Sequence, residues 1–264
     1  MKRFFYLLMA ALMLLAAISC DKDKKPGEGD DSGNQTSIKY GVDGKTPLPE
    51  AVDIGLVVNG KTVKWASFNL GASKEYEYGN YYAWGETEPK AEYSNENYKH
   101  ANGGLTKLTA YCPEDWASLW DSSIKPDGPD GELQLLPSDD AAHVHLGGAW
   151  RLPTEDEFHA LSDLKNDTEN YVWEKWAVVN AGGKEVYGLR ITRKSTGNSI
   201  FFPAAGFKNY TQTGELAGIE GNYWASNLNS SYPIVAADLY FDSNDSYPDG
   251  AQRNCGLPIR PVCE

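Results

Sequence analysis

Two histidines two residues apart, His143 and His145, are the side chains whose type and spacing come nearest to a metal site. On the helix predicted there, the two rings point about 200° apart and cannot share an ion. On a strand they would lie on one face, but a third ligand would still be needed. The sequence therefore predicts no metal site and no cofactor. A structural Ca²⁺ held by loop carboxylates stays open.

An acidic run, Glu155-Asp156-Glu157, has the residue type needed for general acid–base chemistry. It directly follows Pro153 and Thr154, and the spacing from Thr154 to Glu157 is that of a helix capping box. Carboxylates in a first helical turn favour the helix dipole. We interpret the run as a helix start, and the sequence predicts a binding protein rather than an enzyme.

The N-terminus has two basic residues, an apolar run from Phe4 to Ile18, and then Ser19 and Cys20. The run is shorter than the ~20 residues that span a bilayer, and it looks like a bacterial lipoprotein signal peptide with its lipobox. That resemblance implies removal of residues 1–19 and acylation of Cys20. Two or three acyl chains give stable attachment. We expect an outer-membrane lipoprotein, exposed at the cell surface or facing the periplasm.

Charge limits the partners. The chain carries a net charge of −13, which loss of Lys2 and Arg3 makes more negative still. Nucleic acid is excluded as a partner because its phosphates would be repelled. Membrane attachment must then come from the acyl anchor at Cys20. Residues 20–48 are expected to be a flexible tether, disordered from Asp21 to about Thr46, because they offer little apolar surface to bury.

A compositional bias marks residues 222–254, where 18 of 33 residues are Asn, Ser, Tyr or Asp. Antibody loops use this mixture of rigid rings and short polar side chains to bind ligands. We therefore predict a recognition face for a glycan or protein ligand, with contacts from Tyr223, Asn227, Asn229, Ser230, Tyr232, Asn244, Asp245 and Tyr247. Trp224 is expected to be mostly buried. The alternative is that Asn, Asp and Ser simply reflect β-turn chemistry.

The elements that must position such a face are mostly strands. Asn59-Gly60 between two β-prone runs predicts a hairpin of Val52–Val58 and Thr62–Phe68. Two short helices are predicted, over Asp139–Leu146 and Glu155–Leu164. Further strands are predicted at Tyr171–Val179, Val186–Arg193, Ser199–Pro203, Val235–Phe241 and Pro258–Val262. This is an α+β pattern in one domain, residues 49–264.

An ordered series of motifs over the same residues resembles the Fibrobacter succinogenes major paralogous domain family. The motifs of this series include Val52-Asp53-Ile54-Gly55-Leu56, Tyr82-Ala83-Trp84-Gly85-Glu86, Gly148-Ala149-Trp150-Arg151-Leu152-Pro153-Thr154, Tyr223-Trp224-Ala225-Ser226 and Ile259-Arg260-Pro261-Val262-Cys263. The resemblance implies a C-type-lectin-like fold of small twisted antiparallel sheets, two short helices and long loops. In that fold the two ends of the domain pair. Phe68 stands where relatives often carry a cysteine, so any disulfide from that position is in doubt.

Three cysteines remain beside Cys20, namely Cys112, Cys255 and Cys263, so at most one disulfide can form among them. The sequence leaves its pairing open. The fold implied by the resemblance is shared with formylglycine-generating oxidases, but their copper-binding cysteines lie closer together than Cys255 and Cys263. We expect a ligand-binding, adhesin-like module that acts through its C-terminal loop region. A structural subunit of a cell-surface assembly is the alternative, and the oxidase is the least favoured.

Overall fold

The computed structural model describes residues 38–264 apart from 211–215 and 230. Strands hold many more residues than helices, and the sheets are small and antiparallel, so the described chain is α+β with a majority of strand. None of its helices is long and apolar enough to cross a membrane. The elements are β1 (Ala51–Val58), β2 (Lys61–Ala66), β3 (Tyr81–Tyr82), α1 (Ala141–Leu146), α2 (Glu155–Asp163), β4 (Tyr171–Ala181), β5 (Lys184–Arg193), β6 (Ser199–Pro203), β7 (Glu220–Leu228), β8 (Val235–Asp242), β9 (Ser246–Gln252), β10 (Leu257–Pro258) and β11 (Val262–Cys263).

The predicted N-terminal hairpin is present, and the last strand joins it. Asn59 and Gly60 have φ values of 51° and 79°, the positive angles that a two-residue hairpin turn needs at both positions. β11 pairs with β2, with Val262 opposite Trp65. Both ends of the domain therefore lie in one sheet, in the order β1-β2-β11. The single strand predicted from Pro258 is instead split into β10 and β11.

The domain begins earlier than predicted, because residues 38–48 are part of the fold. Tyr40 bridges to Pro47, and Thr46 is buried. The carboxylate of Asp43 accepts a hydrogen bond from the Thr46 hydroxyl at 2.6 Å and lies 2.8 Å from His145. The prediction of disorder was wrong for residues 38–46, because polar contacts rather than apolar burial order them, and residues 21–37 lie outside the described part of the chain. The domain boundary moves from residue 49 to about residue 38.

Both helices form where they were predicted, and their caps set their starts. Thr154 and Glu157 make the reciprocal bonds of the capping box: Glu157 N donates to Thr154 Oγ1 at 3.2 Å, and Thr154 N donates to Glu157 Oε2 at 2.7 Å. α1 begins at Ala141, two residues later than predicted, because the Asp140 side chain caps it through His143 N at 3.0 Å. It ends at Leu146 and is followed by the capping residue Gly147, with φ of 72°.

The C-terminal half contains two three-stranded sheets, β4-β5-β6 and β7-β8-β9. The first was predicted. In the second, β8 was predicted but β7 and β9 were not, because residues 222–254 were interpreted as recognition loops. β7 is buried along most of its length, so it lacks the alternation of exposed and buried residues that marks a half-buried strand. β9 contains Pro248, which an edge strand tolerates.

The largest core cluster packs the β1–β2 hairpin and α2 against the two C-terminal sheets, with Trp65, Phe158, Phe202 and Tyr223 at its centre. A buried arginine, Arg260, ties the C-terminal segment to this core. It donates to Asn69 Oδ1 at 2.8 Å and to the carbonyl oxygens of Ala66 and Phe201 at 3.0 and 2.6 Å. Burial lowers the pKa of Arg260 to about 10, so the guanidinium stays charged at neutral pH.

Candidate functional site

Two aromatic side chains from different loops meet at the surface. The ring centroids of Trp116 and Tyr232 lie 6.4 Å apart, with their planes tilted by 35°. Tyr232 is 63% exposed, and Trp116 is half-buried. We call these two residues the aromatic pair. Large rigid rings give contact area to a ligand at a low cost in conformational entropy, so this arrangement is suited to stacking.

The loop that carries Trp116 is closed at its neck by one carboxylate. Asp130 accepts hydrogen bonds from the backbone N–H groups of Tyr111 and Cys112, at 2.7 and 2.9 Å. Gly131 N donates back to Cys112 O at 3.0 Å. Tyr111 has a φ of 57°, which is strained for a bulky residue. The neck is therefore held in one conformation by bonds that outweigh this strain.

Within the same loop, Trp116 lies at a kink between two 3₁₀ turns over Glu114–Leu119, with φ of −111° and ψ of 27°. A recess of about 390 Å³ lies in the second half of the loop. Its walls are Trp120, Ile124, Lys125, Pro126, Asp127, Gly128, Pro129 and Asp130. The indole N–H of Trp120 donates to Lys125 O at 2.8 Å and fixes that ring. The loop that carries Trp116 thus also contains a shaped recess, which neither Trp116 nor Tyr232 lines.

Tyr232 is positioned by a tight turn between β7 and β8. The side-chain oxygen of Asn229 accepts hydrogen bonds from Ser231 N and Tyr232 N, at 3.0 and 3.1 Å. Val235 N donates to Tyr232 O at 2.8 Å. Asn229 thus supports the contact residue through turn chemistry.

Arg253 joins the two loops from inside the protein. Its guanidinium is fully buried and donates to the carbonyl oxygens of Ala110, Tyr111 and Pro233, each at 3.0 Å. Ala110 and Tyr111 precede the loop of Trp116, and Pro233 follows Tyr232. One side chain therefore fixes the spacing between the two halves of the aromatic pair.

Aromatic rings and dipoles surround the Arg253 charge. Its guanidinium carbon lies 5.0 Å from the ring centroid of Trp84 and 5.3 Å from that of Tyr98. Tyr98 Oη accepts a hydrogen bond from Arg253 Nε at 2.9 Å. Burial nevertheless raises the pKa of Tyr98 to about 12, so this phenol stays neutral at physiological pH. Cation–π contacts and carbonyl dipoles stabilise the arginine here.

Acidic side chains flank the aromatic pair. Glu114 and Asp115 are exposed on the turn that carries Trp116. The chain as a whole has a net charge of −13. A phosphate, sulfate or carboxylate ligand would be repelled at this surface. Carboxylates also accept hydrogen bonds, so hydroxyl groups and amines are the ligand groups that this surface suits.

Among the predicted contact residues, Tyr223 is not at the surface. It is fully buried, and its hydroxyl donates to Pro203 O at 2.6 Å and accepts from Asn69 at 3.2 Å. Tyr223 packs in the core against Phe202 and Phe241, whose ring centroids lie 5.2 and 6.1 Å from its own. Its prediction as a ligand contact was wrong. Trp224 is fully buried, as expected.

The other predicted contact residues are divided between two places. Tyr232, Asn244 and Tyr247 are exposed, as expected. Tyr232 precedes β8, whereas Asn244, Asp245 and Tyr247 follow it, and eight residues of strand separate these ends by about 25 Å. One continuous recognition face over residues 222–254 is therefore not formed.

Three of the predicted contact residues, Asn227, Asn244 and Asp245, take part in local hydrogen bonds. Asn227 is half-buried and accepts a hydrogen bond from Glu155 N at 2.9 Å, so it supports the start of α2. Asn244 N and Asp245 N both donate to Asp242 Oδ1, at 2.7 and 2.8 Å, in the turn between β8 and β9. Ser230 and Cys20 lie outside the described residues. The turn interpretation therefore accounts for Asn244 and the backbone of Asp245, whereas Asn227 lies within β7 and supports α2.

Two of the three cysteines considered for a possible disulfide carry free thiols, namely Cys112 and Cys263. Cys112 is buried, and burial raises its pKa. Cys263 lies on β11 opposite Lys64, and burial raises its pKa as well. A raised pKa disfavours the thiolate that a soft metal needs.

The two histidines face different surroundings, as predicted for a helix. His145 is buried and His143 is half-buried. Within residues 38–264, leaving out 211–215 and 230, no three His, Cys, Asp or Glu side chains are grouped so that they could hold a metal ion. The structural Ca²⁺ stays a prediction.

A larger cleft of about 480 Å³ lies elsewhere, beside Trp150 and Arg151. Its charged groups are already engaged in holding the fold. Arg151 makes a bidentate pair with Glu157, at 2.9 and 2.7 Å. Asp140 accepts from Leu152 N at 2.8 Å, and burial raises its pKa. We therefore place the candidate site at the aromatic pair and not in this cleft.

The composition of the segment around Trp116 indicates a loop. Trp116 and Trp120 lie in a segment with several Pro, Gly and Asp residues between Cys112 and Gly131. Loops carry a large share of binding residues, although both tryptophans also pack in part against a core cluster that includes Tyr98 and Leu108. Comparisons with known proteins add no relative: no family model, curated protein or solved structure matches the chain.

Proposed function

We propose that this chain is an envelope-anchored, ligand-binding module whose contact surface is the aromatic pair, Trp116 and Tyr232. The observation that carries the proposal is the meeting of two accessible rings from separate loops, 6.4 Å apart. Each loop is held by its own side-chain bonds, from Asp130 and Asn229. A preorganised surface loses little entropy when it binds.

The wider setting follows the sequence expectations. The signal-like N-terminus and Cys20 support an adhesin-like lipoprotein that is anchored to the outer membrane. The pairing of β11 with the N-terminal hairpin is consistent with a C-type-lectin-like fold and with membership of the Fibrobacter succinogenes major paralogous domain family. Fold alone does not determine function, so the proposal rests on the surface.

The ligand is a glycan or a protein segment rich in hydroxyl or amine groups. Glu114 and Asp115 beside the aromatic pair favour such groups and disfavour anions. The experiment is a screen of the purified acylated chain in nanodiscs against glycan and host-protein arrays. A Trp116→Ala/Tyr232→Ala double variant tests the surface. Each truncation should cost about 1–2 kcal/mol of binding free energy.

Tyr247→Ala is the matched control. Tyr247 is also an exposed tyrosine of the predicted set, but it follows β8, whereas Tyr232 precedes that strand. We expect it to bind like the parent chain. If Tyr247→Ala loses binding while the double variant retains it, the site belongs at the β8–β9 turn. If the parent chain captures nothing on either array, the binding function fails.

A further inference from the structure

Residues 40–48 fold back on themselves and close onto α1, and we call them the latch. Gly41 N donates to Thr46 O, and Leu48 N donates to Lys39 O, both at 2.9 Å. Gly41 packs so closely against the backbone of His145 that a Cβ there would clash. The contact between latch and helix is therefore close, and the side chain at its centre is His145.

Both ring nitrogens of His145 face oxygen atoms that can only accept. Nδ1 lies 2.8 Å from Asp43 Oδ2, and Nε2 lies 2.6 Å from the carbonyl oxygen of Thr87. A neutral imidazole has one N–H and can donate to only one of them. The imidazolium ion donates to both. The ring is 5% exposed, so water is a poor substitute for a lost partner.

Asp43 is held in its ionised form. Burial alone would raise its pKa, but hydrogen bonds from the Thr46 side chain, from Thr46 N and Lys45 N, and from His145 together hold the pKa well below its usual range. Asp43 Oδ1 accepts from Lys45 N and Thr46 N, each at 2.9 Å. The carboxylate therefore remains a charged acceptor from acid to alkaline pH.

We propose that the closed latch requires His145 as the imidazolium ion, so that loss of one proton from this ring releases residues 40–48 as the pH rises. The carboxylates beside the His145 ring are those of Asp43 and Glu88, and the cation near this ring is Lys45, which lines the same recess. The Tyr82 ring lies 6.2 Å away, and burial raises its pKa, so it stays neutral. On α1 itself, His143 and the cap Asp140 lie nearby in sequence.

Release of the latch would change an adjacent recess of about 270 Å³. Lys45, Thr46 and Pro47 form one side of it, and Asn80 and Tyr82 are among the other walls. Opening would remove the first side and expose Tyr82, which is 1% exposed in the closed state. The segment that leads from the tether into the domain would thus be coupled to pH.

The test is amide hydrogen exchange of the purified full chain in detergent, with protection factors for Gly41 and Leu48 corrected for the intrinsic pH dependence of exchange. The ring protons of His145 are followed by NMR in the same samples. Opening that releases one proton should increase up to tenfold per pH unit over the pH range in which the ring is neutral in the open state but still protonated in the closed state. His143→Gln, on the same helix, is the control and should show the same profile as the parent chain.

Asp43→Asn is the decisive variant. The amide nitrogen introduced by this substitution can donate to His145 Nδ1, while Nε2–H of a neutral imidazole donates to Thr87 O. The amide oxygen can still accept from Lys45 N and Thr46 N. We expect this variant to keep the latch closed and to lose the pH dependence. Asp43→Ala should be open at every pH.

Two results would overturn the proposal. One is protection of Gly41 and Leu48 in the parent chain that stays constant while the His145 ring titrates. The other is a pH dependence in Asp43→Asn equal to that of the parent chain, since the release would then depend on another group.

Discussion

Trp116 and Tyr232 come from different loops, yet their ring centroids lie 6.4 Å apart. Their loops share a buried partner in Arg253, which donates to Tyr111 O and Pro233 O at 3.0 Å each. The surface that would meet a ligand is thus set by a residue that no ligand can reach. Because Arg253 is buried and the ligand would contact only the surface, the positioning role of Arg253 can be tested without measuring binding.

Arg253→Lys should destabilise the fold and loosen the aromatic pair. A lysine ammonium cannot reach Ala110 O, Tyr111 O, Pro233 O and Tyr98 Oη together, because it lacks the planar fork of arginine. Buried carbonyl oxygens left without a donor cost about 2–4 kcal/mol of unfolding free energy. Urea unfolding followed by tryptophan fluorescence measures this loss.

Arg190→Lys is the control for that substitution. Arg190 is a partly exposed strand arginine that pairs with Glu75 at 3.3 Å. A surface pair of this kind is worth less than about 1 kcal/mol. Equal losses in the two variants would mean that the buried carbonyl contacts of Arg253 add nothing.

Local signals in the sequence predicted the frame well. Asn59-Gly60 predicted the hairpin, and Thr154 with Glu157 predicted the start of α2, because turn and cap chemistry depends on neighbours in sequence. The start of α1 was placed two residues early, since Pro137 to Asp139 form a 3₁₀ turn before the Asp140 cap.

The contact surface was predicted only in part, because its spacing depends on long-range contacts. Tyr232 was included, but its partner Trp116 was not, since nothing in the sequence shows that Arg253 brings their loops together. Tyr223 was misplaced for a related reason. Amino-acid composition gives the number of tyrosines in a segment but not their orientation. The orientation of Tyr223 depends on the register of β7 against β8.

Acid should weaken the fold through His100. Its Nε2 donates to Gly85 O at 2.8 Å, and burial lowers its pKa to about 4. The unfolded chain binds this proton near pH 6.5, so stability is full above that pH and is lost as the pH falls toward 4. The loss of unfolding free energy is about 3 kcal/mol.

Urea unfolding of the His100→Gln variant between pH 7 and pH 4 should lack this part of the decline in unfolding free energy. The exposed His159 gives a control, since His159→Gln should leave the decline unchanged.

Replacing Cys20 should detach the protein from the membrane. Cys20→Ala removes the thiol that would carry the acyl chains, and two or more chains are needed for stable attachment. We expect the variant in the soluble fraction or as an uncleaved precursor. Mass spectrometry of the mature parent chain should find acylated Cys20 at its N-terminus, and an unmodified start at another residue would contradict the anchor.

The buried side chain of Asp238, in β8, should destabilise the folded state at neutral pH. Asp238 is 2% exposed, and its Oδ1 has no hydrogen-bond partner within the described part of the chain. Burial, the carboxylate of Asp249 directly across the strand pair, and Glu220 raise the pKa of Asp238 well above its usual value. The folded state therefore binds a proton that the unfolded chain has released. Stability falls as the pH rises from about 4 toward the folded-state pKa.

Asp238→Asn should accordingly raise the unfolding free energy at pH 7 by about 1–3 kcal/mol, because a neutral amide avoids the cost of a buried ionisable group. The gain should vanish near pH 4, where Asp238 is protonated in both states. Asp242→Asn, on the same strand, is the matched control with the opposite sign. Backbone N–H bonds from Asp245 and Asn244 lower the pKa of Asp242, so its ionised form favours folding. Thermal unfolding of both variants across this pH range decides the matter, and a loss of stability in Asp238→Asn at pH 7 would show that the carboxylate has a stabilising partner.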